Sequence, residues 1–144
     1  PSIAGAIHAV QIDAYAQEAA LLGATHFPPL SRTVDDIRTS RETFFAAYRR
    51  DQMVGAISIQ ADPTRQRQQI CSLVVAPECQ RQGIARQLLA ELLRLHAADI
   101  VTVHTGVRNA PALALYGQFD FVAGRRWHVG PDHLELVELQ RTPR

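Results

Sequence analysis

From Leu73 to Arg86 the chain leaves an apolar run, passes Pro77, enters Gln80-Arg81-Gln82-Gly83-Ile84-Ala85 and continues into an amphipathic stretch. A strand, a tight loop and a helix start, in that order, make an anion site. The first backbone N–H groups of a helix have no intrahelical partner, and the aligned peptide dipoles place about half a positive charge there. Gly83 removes a Cβ where backbone must approach a ligand, and small Ala85 keeps the next turn open. A diphosphate is the natural guest. An isolated Gly-x-Ala also occurs at helix starts that bind nothing, so the surrounding elements decide its meaning. The segment is not a P-loop. The 144 residues include 15 Arg and no Lys, which removes the phosphate-gripping lysine of that motif and any Schiff-base chemistry.

These residues need elements to position them. Ile84, Leu88, Leu92 and Leu95 recur at helical spacing, with Ala85, Leu89 and Leu93 beside them and Arg86, Glu91 and Arg94 off the stripe, which predicts a helix burying one face on a sheet. Strands are predicted over Glu42 to Arg49 and Met53 to Gln60, joined by the polar Arg50-Asp51-Gln52, and over Gln69 to Val75 and Ile100 to Thr105. Two more, Phe121 to Val129 and His133 to Gln140, flank the turn Gly130-Pro131-Asp132. Ala6 to Ile12 alternates and reads as an opening strand, with Asp13 as N-cap of an alanine-rich helix ending at Gly23. Thr33 and Asp36 have the spacing of a capping box for a short helix to about Thr39. Asn109 is a good N-cap, with Pro111 in the first turn, for a helix to Phe119. The order β-α-α-β-β-β-α-β-α-β-β is an α/β chain with a mixed sheet covered by helices. Without repeats, low-complexity tracts or linkers, a single domain over residues 1–144 is expected.

A net charge of +1 and a pI near 8.4 provide no basic stripe for nucleic acid. No apolar run is long enough for a membrane span, and the first residues lack a signal-peptide pattern, so a soluble cytoplasmic protein with no membrane partner is expected. Cys71 and Cys79 lack metal spacing and read as reduced thiols, Cys71 as a small core residue. His8, His26, His96, His128 and His133 show no ligand spacing either, and no metal is expected.

Gln80-x-x-Gly83-x-Ala85, directly after a strand ending Leu73-Val74-Val75-x-Pro77, resembles motif A of the GNAT family of N-acetyltransferases. Asn109-x-x-Ala112-x-x-x-Tyr116 matches a second motif of that family, one helix and one strand further on. The order of elements is similar over nearly the whole chain, opening strand and helix included. The wording is nearest the ribosomal-protein alanine acetyltransferases, whose substrate does not follow from wording alone. The resemblance implies the GNAT fold: a mixed, mostly antiparallel sheet of about six or seven strands, splayed after the fourth and flanked by about four helices. It also implies acetyl-CoA as cosubstrate. Backbone groups of Leu73, Val74 and Val75 would line the pantetheine, an amide there facing the acetyl carbonyl. The N–H groups of Arg81, Gln82, Gly83, Ile84, Ala85 and Arg86 would hold the diphosphate. Asn109 would contact the pantetheine arm, and Tyr116 would stand near the sulfur as general acid. A phenol of pKa about 10 can return a proton to a thiolate whose thiol has pKa about 8.5 without being ionised at neutral pH. By spacing alone Tyr116 reads as a core aromatic.

The acceptor amine, with pKa about 10.4, is protonated at neutral pH, and presenting it as a nucleophile costs about 4–5 kcal/mol unless a base helps. The position where some members carry a Glu before motif A is about Gln69 here. The position used by alanine-acetylating members is His104, which could take a proton directly or through water, or could simply face solvent from a strand. Asp120-Phe121 stands where the family has Gly-Phe, and Asp tolerates a left-handed backbone. The expected function is an acetyl-CoA-dependent N-acetyltransferase acting on a primary amine of a small molecule or peptide by direct attack in a ternary complex. Phe27 to Arg41 and Arg125 to His133 would form the acceptor groove, with homodimerisation left open. Two other readings stand beside it: a non-catalytic acyl-CoA-binding regulatory module, and a phosphate- or nucleotide-binding interaction protein.

Overall fold

A computed structural model describes residues 2–143. Its elements are helices α1 (Ile3–Leu22) and α2 (Val34–Thr39), strands β1 (Thr43–Arg49), β2 (Gln52–Asp62) and β3 (Arg67–Val75), helix α3 (Ile84–Leu95), strand β4 (Val101–Gly106), helix α4 (Ala110–Gln118), and strands β5 (Val122–Val129) and β6 (Leu134–Arg141). Short 3-10 turns lie at Pro28–Ser31 and Pro77–Cys79. The six strands form one sheet in the order β1-β2-β3-β4-β6-β5. All neighbours are antiparallel except β3 and β4.

The expected opening strand is not there. Ala6 to Ile12 lies inside α1, which Ser2 caps by accepting a hydrogen bond from the Gly5 N–H at 3.0 Å. Its alternation is also a helical pattern. Ile7, Val10, Gln11 and Ala14 fall on one buried face, and the run of alanines carries high helix propensity. Asp13 is therefore mid-helix and exposed. The sheet has six strands, and the strand expected as fourth is the third.

The remaining elements follow the sequence closely. Thr33 and Asp36 form the capping box reciprocally, at 3.0 and 2.8 Å. Asn109 caps α4 by accepting from the Ala112 N–H at 3.2 Å. Asp120 ends that helix at φ +67°, the left-handed conformation a glycine would take. The apolar stripe of α3 buries Ile84, Leu88, Leu89, Leu92 and Leu93 against one face of the sheet, while α1 and α2 cover the other with Ile7, Val10, Tyr15 and Ile37.

The functional geometry comes from β3. Its pairing with β2 shifts register after Ser58↔Ser72, the next pair being Ile59↔Ile70, so Cys71 is an extra residue. Such a bulge bends a strand and increases its twist. It also changes which side chains share a face: Ile70, Leu73 and Val75 pack with the α3 layer, Val74 with the α1 layer. The parallel ladder with β4 covers Gln68↔Val101, Gln69↔Thr102 and Ile70↔Val103 and stops there. Beyond the bulge, β3 and β4 part, and a wedge opens between them.

A buried polar line seats α1 on the sheet. The Gln11 amide donates to Ser72 Oγ at 3.4 Å, Ser72 and Ser58 hydroxyls share a bond of 2.6 Å, and Ser58 donates to the Glu42 carboxylate at 2.8 Å. Glu42 is closed off by the Arg32 guanidinium, and the Arg32 carbonyl bonds the His8 ring at 2.9 Å. Burial works to raise the Glu42 carboxyl, but the bonds from Arg32 and Ser58 outweigh it and hold its pKa below the ordinary range. On the opposite face, α3 sits close because residue 55 is glycine. A Cβ there would lie 3.0 Å from Ile84 Cγ2, 3.1 Å from the Val74 carbonyl oxygen and 3.3 Å from Leu88 Cδ1.

Two outcomes follow for stability. Glu42→Gln strands the half-buried Arg32 guanidinium and should cost about 2 kcal/mol near neutral pH by denaturant unfolding. Because the folded pKa is depressed, the wild-type advantage is complete above the ordinary carboxylate pKa and fades as pH falls from there through the lower folded value; a gap that stays constant with pH contradicts this account. Gly55→Ala should lower stability by about 1–3 kcal/mol through overpacking against Val74 backbone and the first turn of α3, and an unchanged unfolding midpoint would refute the close-packing reading.

Candidate active site

The wedge holds two adjoining cavities. The larger, about 530 Å³, is lined by Leu73, Val74 and Val75 of β3, by Arg81, Gly83, Ile84, Ala85 and Arg86 of the loop and helix start, and by Asn109 and Tyr116. The smaller, about 150 Å³, lies toward the 3-10 turn, lined by Tyr15, Glu18, Phe27, Pro29, Cys71, Ser72, His104 and Thr105. Leu73, Asn109, Ala112, Tyr116 and Glu18 border both. Of the residues singled out in the sequence, all but Gln82 and His104 surround the larger cavity; Gln82 is exposed and bonds Arg49, and His104 faces only the smaller one.

The loop is shaped by two left-handed residues, Arg81 at φ +63° and Gly83 at φ +82°. Turns of this kind point successive N–H groups the same way and make anion-binding concavities. Nothing lies within 4 Å of where a Gly83 Cβ would stand. The first helical backbone bond of α3 runs from Gln87 N–H to the Gly83 carbonyl, so the donors before it in the turn are available. The Gln80 side chain fastens the loop, donating to the Val75 carbonyl at 3.2 Å and to Gln17 of α1 at 2.5 Å. Arg86 is drawn aside, bonding Gln118 and lying 5.2 Å over the Phe119 ring, whereas exposed Arg81 has no side-chain partner among the described residues. A phosphorylated cofactor fits this donor set, and the β3 edge that lost its β4 partner offers free backbone groups for an extended amide-bearing arm. Asn109 spends its carbonyl on the α4 cap and keeps its amide N–H groups for a ligand.

Tyr116 is buried, with its ring edge-to-face on Phe121 at 5.2 Å. Burial first, then the negative fields of Glu18 and Tyr15, push its phenol well above the usual value, so it stays protonated and can act as a donor. On the other side of the wedge, His104 Nε2 is 2.9 Å from a Glu138 carboxylate oxygen, Nδ1 is 3.4 Å from the Gln69 amide, and the ring stands edge-on to Trp127 at 4.8 Å. Facing a carboxylate, Nε2 carries the proton of the neutral ring and Nδ1 keeps the lone pair. Glu138 also meets Arg67 at 3.3 Å and Arg125 at 3.7 Å. Burial works to raise its carboxyl, and the His104 bond and the two arginines more than reverse that.

Cys71 corrects the expectation of a small core residue. The bulge turns it outward to the smaller cavity. Its thiol is pushed up to about 11, by the desolvating cavity wall first and the Glu42 charge second, which leaves it protonated and a weak nucleophile. Sequence reasoning missed Glu18 and Tyr15. Tyr15, Glu18 and Leu22 fall at spacings of three and four inside the helix expected from Asp13 to Gly23, and Gln11 joins their face once the helix is drawn through Ala6 to Ile12. Of the two segments expected to form the acceptor groove, Phe27 and Pro29 line the smaller cavity, while Asp132 of the other braces them. Its carboxylate accepts from the Thr25 N–H at 2.9 Å, the Thr25 hydroxyl at 2.8 Å and the His26 N–H at 3.0 Å. Among the described residues no group of three His, Cys, Asp or Glu side chains could hold a metal ion, and no helix is long and apolar enough to cross a membrane.

Known proteins share this fold. The chain is 38% identical over 122 residues to UPF0157 protein YqkA of Bacillus subtilis (strain 168), a match covering 83% of this chain and 35% of that protein, so it spans about a third of that relative's length. A ribosomal-protein-alanine N-acetyltransferase from Brucella melitensis superposes with a TM-score of 0.74 at 20% identity, over 98% of this chain and 96% of that one. The structure of yncA from Salmonella typhimurium, solved with its cofactor acetyl-CoA, does so with a TM-score of 0.74 at 17% identity, over 99% and 91%. At such identities these structures share the fold. The model of the acetyltransferase (GNAT) family matches residues 11–121. With that span, the parted strands and the glycine loop at the start of α3, the chain belongs to the GNAT acetyltransferase family.

Proposed function

We propose that the chain is an acetyl-CoA-dependent N-acetyltransferase that moves an acetyl group to a primary amine by direct attack in a ternary complex. The observation that carries this reading is the position of Tyr116, a buried and protonated phenol on the boundary of both cavities. Acetyl-CoA supplies an activated acetyl thioester. Around it, the loop N–H groups from Arg81 to Arg86 hold phosphate, and the free edge of Leu73, Val74 and Val75 pairs with an amide-bearing arm while Asn109 steadies it. An amide of that edge, aimed at the developing oxyanion, contributes a few kcal/mol in a water-poor site. The Tyr116 hydroxyl gives its proton to the departing thiolate. His104 accepts the proton of the amine at Nδ1, while Glu138 on Nε2 fixes the orientation of the ring. Cys71, held as a thiol, takes no acyl group.

The competing readings separate cleanly. A regulatory module would bind acetyl-CoA and release no free CoA with any amine. A nucleotide-binding protein would prefer ATP to CoA in competition. Calorimetry with acetyl-CoA is expected to give saturable one-site binding that ATP does not displace, and absence of binding sinks the proposal. In a free-CoA assay over an amine panel, Tyr116→Phe and His104→Gln should each lower kcat by about 100-fold or more; unchanged turnover in Tyr116→Phe across the pH range would remove it from the reaction.

A further inference from the structure

The acceptor itself can be narrowed from the charges around the smaller cavity, on the reading that this cavity receives the amine. Three carboxylates lie near the wedge, and they differ in one respect. Glu42 is closed by Arg32 and Ser58, and Glu138 by Arg67, Arg125 and His104. Among the described residues Glu18 is the only acidic one lining either cavity, and it borders both. Among the described residues no hydrogen bond or ion pair engages it. It projects from α1, half-buried, at the height of Tyr116.

A partly desolvated carboxylate without a counter-charge is costly, and its cost is relieved when a cation arrives. Burial correspondingly pushes the Glu18 carboxyl above the ordinary range. The neighbouring wall suits a cation as well. Tyr15 and Phe27 stand edge-to-face at 6.0 Å and line the same cavity, and aromatic faces attract ammonium groups. Size sets the other limit, since a cavity of 150 Å³ accommodates a group of about benzene size. Among the described residues no arginine lines the smaller cavity to receive a second, negative end of the acceptor.

We propose that Glu18 anchors the acceptor: its carboxylate, where the two cavities meet, receives a primary ammonium group on a slim arm and rejects acceptors that carry a carboxylate beside the amine. Peptide N-termini and alkyl amines meet that requirement, and free α-amino acids do not. Glu18 positions the cation next to His104, which takes its proton, and Tyr116, which serves the leaving thiolate.

The test needs no turnover. Wild type and Glu18→Gln, which keeps size and shape, are titrated by NMR at neutral pH with butylammonium against butanol and with norvalinamide against norvaline. Wild type should bind the first member of each pair more tightly by about tenfold, the scale of one half-buried charge contact, and Glu18→Gln should bring both ratios to within about twofold. A wild type without these preferences, or a variant that keeps them, overturns the proposal. A general loss of packing in the variant would weaken both members of a pair together and leave the ratio intact, which also counts against an anchoring role. Because acetyl-CoA is absent from these titrations, a failure here is distinct from a failure of the calorimetry that tests the acetyltransferase reading.

Discussion

Gln68↔Val101, Gln69↔Thr102 and Ile70↔Val103 form the parallel seam that joins the two halves of the sheet, and the extra residue Cys71 ends it. Everything at the site depends on that termination. Had the ladder continued, the edge of Leu73 to Val75 would be satisfied by β4, and the two cavities would be filled with paired backbone. The bulge keeps β3 bonded to β2 through Val75 while releasing its other edge. A single inserted residue thereby converts an interior strand into one with a free, buried edge, a costly arrangement unless another chain of donors and acceptors lies along it.

Electrostatics divide the wedge into unlike halves. On the loop side, helix-start amides and Arg81 favour negative charge. On the α1 side, Glu18 favours positive charge, and Tyr116 stands between. The fates of the carboxylates follow from what packs on them. Glu42 and Glu138 are neutralised by guanidinium groups and hold their pKa values low, whereas Glu18 is shifted upward by burial. The same type of side chain thus serves two structural ion pairs and one open position, and burial alone would not have told them apart.

The loop, the caps and the α3 stripe were legible in the sequence because each is a local signal. Thr33 with Asp36 and Asn109 with Pro111 are short patterns whose meaning is fixed within one turn of chain, and Gln80 to Ala85 is a short pattern made specific by the strand before it and the helix after it. Asp120 was read through the family resemblance, as an Asp that could hold the left-handed turn where the family has Gly. The opening helix was not legible, because Ala6 to Ile12 alternates and α1 has almost no amphipathic bias to set its period. That reading detached Ile7, Val10 and Gln11 from the helix face that also carries Tyr15 and Glu18. The bulge was hidden too: Gln69 to Val75 is apolar at consecutive positions, so no alternation reveals where one residue steps out of register. His104 was found through the family resemblance and not through strand periodicity, and its partners Glu138 and Trp127 come from strands far along the chain.

The Asp132 carboxylate joins the turn between β5 and β6 to the backbone of Thr25 and His26, just before Phe27 and Pro29. Its pKa is held low by those N–H groups and the Thr25 hydroxyl, so the tie persists as a carboxylate through the neutral range. Two stretches that lie far apart in the chain are therefore inherited, in structural terms, as one part. A loop exchange between relatives that replaced either stretch alone would import half of a joint, and the transplanted segment would lose the brace that sets the shape of its pocket wall.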